Sequence, residues 1–283
     1  MTPVSANARA LTGRPAGTAP WWGCLRTLTT GLVGILLATQ PAQAQISIEQ
    51  LELRFAVPTG GVAPAPQSFR INNVSAGPVQ VTIRLADWDR SEAGENRYYA
   101  AGSQPGSCRD ALTVFPMTLS IPAGQAEDVR VSLPASLTAC HSILFVEMPP
   151  PPAQASRGAN ITYNLRYGIK VYVEPDVAPA GELVEATLVS GPAATGARAD
   201  TLVALFRNTG AVQTMARGHV EIRREDDSIA ARLEIEDFPT LGGAQRRVRV
   251  PLPSLPAGRY AVIAFLEIGT DELLAAQALL EIP

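Results

Sequence analysis

The chain has 283 residues, 46 % of them hydrophobic and 17 % charged, with 24 prolines and 23 glycines. This composition supports a buried core and excludes a disordered polymer. With 23 basic and 26 acidic residues it lacks the cationic excess that nucleic-acid binding draws on.

The first 44 residues carry Arg9, Arg14 and Arg26 and no acidic residue, then an apolar run from Leu28 to Ala38, then Pro41-Ala42-Gln43-Ala44. A positive start, a short apolar stretch and an Ala-x-Ala site describe a secretory signal peptide cut after Ala44. An uncleaved anchor is the competing reading, but a run of about 11 residues is short for a bilayer. Cys24 leaves with the leader and precedes the apolar run, which argues against a lipid anchor there. The remaining chain holds 20 basic and 26 acidic side chains, a net charge near −6, with no stable membrane insertion expected. It keeps two cysteines, Cys108 and Cys140. An even pair in an exported chain predicts one disulfide, against the alternative of two buried thiols.

From residue 45 onward, short runs rich in Val, Ile, Leu, Tyr and Thr alternate with Gly, Pro, Asn and Ser clusters, without helical periodicity. Strands are predicted over Ser47–Val57, Gln67–Asn72, Val79–Trp88, Thr113–Ile121, Glu127–Leu133, Ser142–Met148 and Asn160–Glu174. In Val79-x-Val81-x-Ile83-x-Leu85 and in Val129-x-Val131-x-Leu133 the odd positions are apolar, which gives each strand one core face and one wet face. Seven strands in roughly 130 residues suit an immunoglobulin-like sandwich. A proline-rich linker follows at 176–181, and then a second set: Glu182–Ser190, Thr201–Arg207, His219–Arg224, Ile229–Ile235, Gln245–Leu252, Tyr260–Ile268 and Leu273–Ile282. The expected fold is all-β, two tandem immunoglobulin-like sandwiches over 45–175 and 182–283, with one larger sandwich or barrel as the alternative.

Nothing in the chain points to an enzyme. The two histidines, His141 and His219, stand in no metal-ligand spacing, and no nucleophile elbow, P-loop or dinucleotide fingerprint occurs. No catalytic residue, metal or cofactor is therefore expected. Asp226 and Asp227 fall in a predicted turn, where Asx-turn chemistry accounts for them. His141 adjoins Cys140, but adjacent strand residues face opposite sides, so they form no catalytic couple.

Two charged strand positions remain. Leu51-Glu52-Leu53-Arg54-Phe55 puts Arg54 inside an apolar strand, and Tyr167-Gly168-Ile169-Lys170-Val171-Tyr172-Val173-Glu174-Pro175 holds Lys170, the only lysine against 22 arginines. Further pieces accompany them in order: Arg70-Ile71-Asn72-Asn73-Val74-Ser75; Pro116 to Gly124 before Val129-Arg130-Val131; and Ile143-Leu144-Phe145-Val146-Glu147-Met148-Pro149-Pro150. Over residues 46–175 this series resembles the periplasmic pilus and fimbrial assembly chaperones of the chaperone/usher pathway, the PapD-like family.

The resemblance implies a periplasmic, non-enzymatic chaperone for secreted pilus, fimbrial or coat-type subunits, which an outer-membrane usher then receives. It implies that Arg54 and Lys170 hold the subunit's C-terminal carboxylate, while the last strand of the first sandwich completes the subunit's open fold by strand addition. The period-2 apolar series Ile161, Tyr163, Leu165, Tyr167 and Ile169 supplies the face such a strand needs. For Tyr167 and Ile169, packing in the chain's own core is the competing role. Pro149 to Pro152 deny the approach to that strand the backbone donors of sheet pairing. Glu174 stands where many family members carry a basic residue, so their interdomain salt-bridge network is not expected here. The second half, with Phe206-Arg207-Asn208-Thr209-Gly210 and Pro256-Ala257-Gly258-Arg259-Tyr260, resembles generic immunoglobulin-like or fibronectin-like modules. A structural or adhesive surface protein that adds no strand to a partner is the alternative function.

Overall fold

Period-2 alternation governs the architecture. The computed structural model describes residues 45–58, 60–149, 165–192 and 198–283; the leader and its cleavage site, with Ile161 and Tyr163, lie outside them. The described chain is all-β and forms four sheets. In chain order the first ten strands are β1 (Ile46–Ile48), β2 (Glu52–Ala56), β3 (Gln67–Asn73), β4 (Val79–Arg90), β5 (Asn96–Ala100), β6 (Thr113–Phe115), β7 (Thr118–Ile121), β8 (Ala126–Ser132), β9 (Cys140–Glu147) and β10 (Arg166–Glu174). One sheet runs β1-β3-β8-β6; the other runs β2-β10-β9-β4-β5, with β7 also paired to β4. Their facing residues, among them Leu53, Phe69, Ile71, Val81, Ile83, Val129, Val131, Leu144, Ile169 and Val171, make one core. These two sheets are the immunoglobulin-like sandwich that the alternation predicts.

Two predicted strands are each divided between the sheets. Ser47–Val57 becomes β1 against β3 and β2 against β10. Thr113–Ile121 becomes β6 against β8 and β7 against β4, with a cis Phe115-Pro116 bond between them. In both cases the apolar parity changes at the division: Ile46 is even and Leu53 and Phe55 are odd; Val114 is even and Leu119 and Ile121 are odd. A strand that moves to the opposite sheet must reverse which face it turns to the core, and the parity change records this. The short edge strand β5 has no counterpart among the predicted elements.

The second half contains β11 (Gly181–Pro192), β12 (Arg198–Asn208), β13 (Thr214–Arg224), β14 (Ile229–Thr240), β15 (Gln245–Pro251), β16 (Gly258–Glu267) and β17 (Leu273–Ile282). They form a three-stranded sheet, β11-β12-β15, and a four-stranded sheet, β14-β13-β16-β17, around a core that includes Leu202, Phe206, Val220, Ile222, Val262 and Leu266. All seven predicted strands of this half are present. Pro239, late in β14, is tolerated because β14 is an edge strand. At the β13–β14 turn Asp226 Oδ1 accepts the N–H of Ser228 at 3.1 Å and its hydroxyl at 2.6 Å, the expected Asx-turn role.

The two halves share a corner. At the end of β3, buried Asn73 donates from Nδ2 to the carbonyls of Gly77 and Ile121, both at 2.8 Å, while its Oδ1 accepts the N–H of Ser75 at 2.9 Å. At the end of β12, buried Asn208 donates to the carbonyls of Val212 at 2.8 Å and Thr240 at 2.9 Å, and its Oδ1 accepts the N–H of Gly210 at 2.9 Å. Each asparagine thus supplies two donors and one acceptor to a turn that leaves the sheet.

Cys108 and Cys140 are joined in a disulfide, as the sequence predicts. The bridge secures the 101–112 loop beside buried Asp87, whose Oδ2 accepts the N–H groups of Ser103 at 2.8 Å and Gln104 at 3.0 Å and whose Oδ1 accepts the Ser107 hydroxyl at 2.6 Å. His141 Nε2 lies 3.1 Å from the carbonyl oxygen of Trp88, and burial pushes its pKa down.

Candidate functional site

β2 and β10 lie side by side in parallel, with Lys170 opposite Glu52 and Tyr172 opposite Arg54. Alternation sends Leu53, Phe55, Ile169, Val171 and Val173 into the core. It sends Glu52, Arg54, Lys170, Tyr172 and Glu174 to the outer face of the same sheet, the face turned toward the second sandwich. On the neighbouring strands Trp88, Ile143 and Phe145 share that face and pack with Tyr172 against Leu241 of the second sandwich.

Aromatic rings carry the two cations. The Arg54 guanidinium lies 4.4 Å from the centroid of the Tyr172 ring, and Lys170 Nζ lies 4.5 Å from that of Trp88. The two rings meet edge to face at 5.9 Å. Such contacts favour a partly desolvated cation. Burial is the main cause that holds the Lys170 ammonium below its ordinary pKa, the nearby Arg90 charge adds to the effect, and Glu52 opposes it. Burial likewise pushes the Tyr172 phenol upward. Both Tyr172 Oη and Trp88 Nε1 are buried without a hydrogen-bond partner.

Arg54 is fully engaged. Its Nη1 donates to Glu174 Oε2 at 3.0 Å, and its Nη2 donates to Glu52 Oε2 at 3.1 Å and to Gln213 Oε1 at 2.8 Å. Glu174 Oε1 in turn accepts the backbone N–H of Gln213 at 2.6 Å. Arg54 and Glu174 together grip Gln213 of the second sandwich by hydrogen bonds. Farther along, the turn between β4 and β5 docks on β15, where Arg247 donates its N–H to the Glu92 carbonyl at 2.8 Å and Nη2 to Glu92 Oε2 at 2.9 Å.

The structure therefore brings Arg54 and Lys170 together and divides the apolar series. Ile169 is fully buried in the chain's own core. Tyr167 packs against that core and donates its hydroxyl to the Ile46 carbonyl at 3.0 Å. These two positions are accounted for without a partner, and as members of a face offered outward they are corrected. Leu165 is 54 % exposed. β2 pairs with β10 from Lys170 onward, and the Lys170 N–H goes to the Leu51 carbonyl at 2.8 Å. β9 pairs with β10 along its other edge from Arg166. Between Arg166 and Ile169 the β2 side of β10 has no strand partner among the described residues. By alternation from Lys170, the main-chain groups of Gly168 and Arg166 face that open side.

Trp88, Arg90, Tyr172, Gln213 and Arg246 join the site without having been expected there. Trp88 and Arg90 could have been found from parity, since they share the outer face of β4 with Ala86. Nothing in the sequence points to Gln213 or Arg246, which come from the other half of the chain. Among the described residues no group of His, Cys, Asp or Glu is arranged to hold a metal ion.

No family model matches the chain. No curated protein matches it either. Among solved structures, it is similar to a chain from a chaperone–tip adhesin complex described as vital for the activation of CFA/I fimbriae biogenesis, at 13 % identity, over 85 % of this chain and 100 % of that one, with a TM-score of 0.47. It is similar to the CupB2 chaperone of Pseudomonas aeruginosa, at 10 % identity, over 83 % and 100 % of the two chains, with a TM-score of 0.42. A chain from the structure of the Salmonella enterica SafA pilin with the SafB chaperone is similar at 10 % identity, over 85 % and 99 %, with a TM-score of 0.42. At such identities and TM-scores the function has to be argued from this chain's own residues.

Proposed function

We propose that this chain is a periplasmic assembly chaperone for secreted pilus or fimbrial-type subunits. In this reading the leader is removed after Ala44, residues 45–175 form the subunit-binding sandwich, 176–181 the linker and 182–283 the second sandwich. The segment that includes Ile161, Tyr163 and Leu165 and leads into β10 adds a strand to an incomplete subunit. The subunit's terminal carboxylate enters the cationic cleft at Lys170 and Arg54, and an outer-membrane usher receives the loaded complex.

One observation carries the reading: the edge of β10 that is unpaired among the described residues runs directly into the cleft where Lys170 and Arg54 stand on adjacent strands. An added strand gains main-chain hydrogen bonds along the edge, and its terminal charge gains charge-assisted bonds at the end of it. The test is co-expression of the exported chain with a small secreted subunit encoded beside its gene, followed by affinity capture. The double variant Arg54→Ala/Lys170→Ala is expected to lose the subunit while its circular dichroism stays that of the wild type. Undiminished recovery would refute the chaperone reading and favour a structural or adhesive surface protein.

A further inference from the structure

Arg54, Lys170, Arg90 and Arg246 stand at the junction of the two sandwiches, and their charges are unevenly answered. Arg54 has two carboxylate partners, Glu52 and Glu174. Lys170, Arg90 and Arg246 are each half-buried and have no carboxylate within ion-pair distance among the described residues. Lys170 Nζ and the Arg90 guanidinium carbon both stand over the Trp88 ring, 4.5 and 5.9 Å from its centroid. Arg90 Nη1 is 3.5 Å from the Gly94 carbonyl, and Arg246 Nη1 donates to the Glu92 carbonyl at 3.2 Å.

The turn holds the two arginines close. At Gly94, where φ is +92°, a Cβ would meet Arg246 Nη1 at 1.7 Å, so the residue leaves the guanidinium room to lie against the main chain. Arg246 Nε is buried with no partner. On that turn the Glu92 carboxylate is committed to Arg247. Burial and the Arg90 charge both lower the pKa of Arg246, and the same two causes lead for Lys170. Three half-buried like charges with one unsatisfied donor among them are a poor arrangement for the empty protein and a good one for an anion.

We propose that Lys170, Arg90 and Arg246 form the point that holds the partner's terminal carboxylate, and that Arg54 serves as the brace between the sandwiches. The inference rests on the chaperone reading, keeps its cleft and Lys170, and replaces Arg54 at the carboxylate with Arg90 and Arg246. The charges decide between the two ends of the cleft. At Arg54, Glu52 and Glu174 already outnumber the one positive charge, so a further carboxylate there would deepen an excess of negative charge. Beside Lys170, Arg90 and Arg246, the same carboxylate neutralises an excess of positive charge. A carboxylate offers about four lone-pair positions, enough for an ammonium and two guanidinium groups.

The probe is a synthetic peptide of alternating valine and threonine ending in tyrosine, prepared as the free acid and as the C-terminal amide, titrated against the mature chain. The wild type is expected to bind the acid about tenfold more tightly than the amide or better, the scale of one charge-assisted bond. Arg90→Gln, Arg246→Gln and Lys170→Gln should each abolish that preference without lowering the unfolding midpoint, and Arg54→Gln should keep it. The inference is overturned, with the chaperone reading intact, if the preference survives in the Arg90 and Arg246 variants or disappears in Arg54→Gln. If neither form of the peptide binds the wild type, the chaperone reading and the inference fall together. A lowered midpoint with the preference retained in Arg90→Gln or Arg246→Gln would assign those residues a structural role and overturn the inference.

Discussion

Replacing both bridge cysteines, Cys108→Ser and Cys140→Ser, tests how the first sandwich is secured. The bridge closes a segment 32 residues long. In the chain-entropy treatment, tying such a loop in the unfolded state stabilises the fold by about 3.7 kcal/mol at 25 °C. That is a large part of the roughly 5–15 kcal/mol that holds an ordinary domain. The loss grows if the 101–112 loop lifts away, because the Asp87 carboxylate then gives up the N–H groups of Ser103 and Gln104 and the Ser107 hydroxyl. A buried polar group without its partners costs a further 1–3 kcal/mol or so. After removal of the leader, Trp88 is the sole tryptophan, and it is buried in the first sandwich. Urea unfolding followed by its fluorescence should therefore shift to lower denaturant in the double variant, and equally in the wild type under reductant. The denatured mature chain should titrate with no free thiol before reduction. A fluorescence midpoint that reduction leaves in place, corresponding to a loss under about 1 kcal/mol, would refute the reasoning.

Two more outcomes follow from groups already described. Asn73→Ala and Asn208→Ala should each cost about 2–3 kcal/mol in urea unfolding, because each strands buried carbonyls at a corner; a loss within experimental error would show that the corners hold without them. For Lys170 the effect has a sign in pH. Below its lowered pKa the ammonium is charged in both states and burial penalises only the folded one. Between that pKa and the ordinary 10.5 the folded chain releases the proton that the unfolded chain keeps, so stability rises with pH through that window. Lys170→Met should thus exceed the wild type in stability at neutral pH, and the gap should narrow in alkali; a gap that stays constant or widens would contradict the burial of the charge.

How far the sequence could be read depended on the kind of signal. Strands with a full alternation, such as Val79-x-Val81-x-Ile83 and Val129-x-Val131-x-Leu133, appear where period 2 puts them, because the hydrophobic effect acts on each face separately. The division of Ser47–Val57 and of Thr113–Ile121 was equally written, in the parity change between Ile48 and Leu53 and between Val114 and Leu119, but an average over the segment conceals it. Asn96–Ala100 was missed for a different reason: an exposed edge strand has no buried face to leave a pattern. Within the cleft, Arg54 and Lys170 stood out because a charge interrupts an apolar strand. Arg246 and Gln213 did not, since their role comes from the docking of one sandwich on the other, which local sequence does not encode. Nor does the local sequence mark the partner of Glu174, since Arg54 lies 120 residues away.

The pairing of β2 with only the latter part of β10 makes that edge a lane with a closed end. A second chain entering beside Arg166 can advance only as far as Lys170, where Leu51 and β2 already occupy the track. Under the proposed function the lane would accept a chain end rather than a passing loop, and the cations at its closed end would select the carboxyl terminus over the amino terminus, which would fix the guest parallel to β10. Polarity and stopping point would then both be set by where β2 begins, so lengthening the paired part of β2 by two residues would move the guest's stop back by one repeat of the pleat.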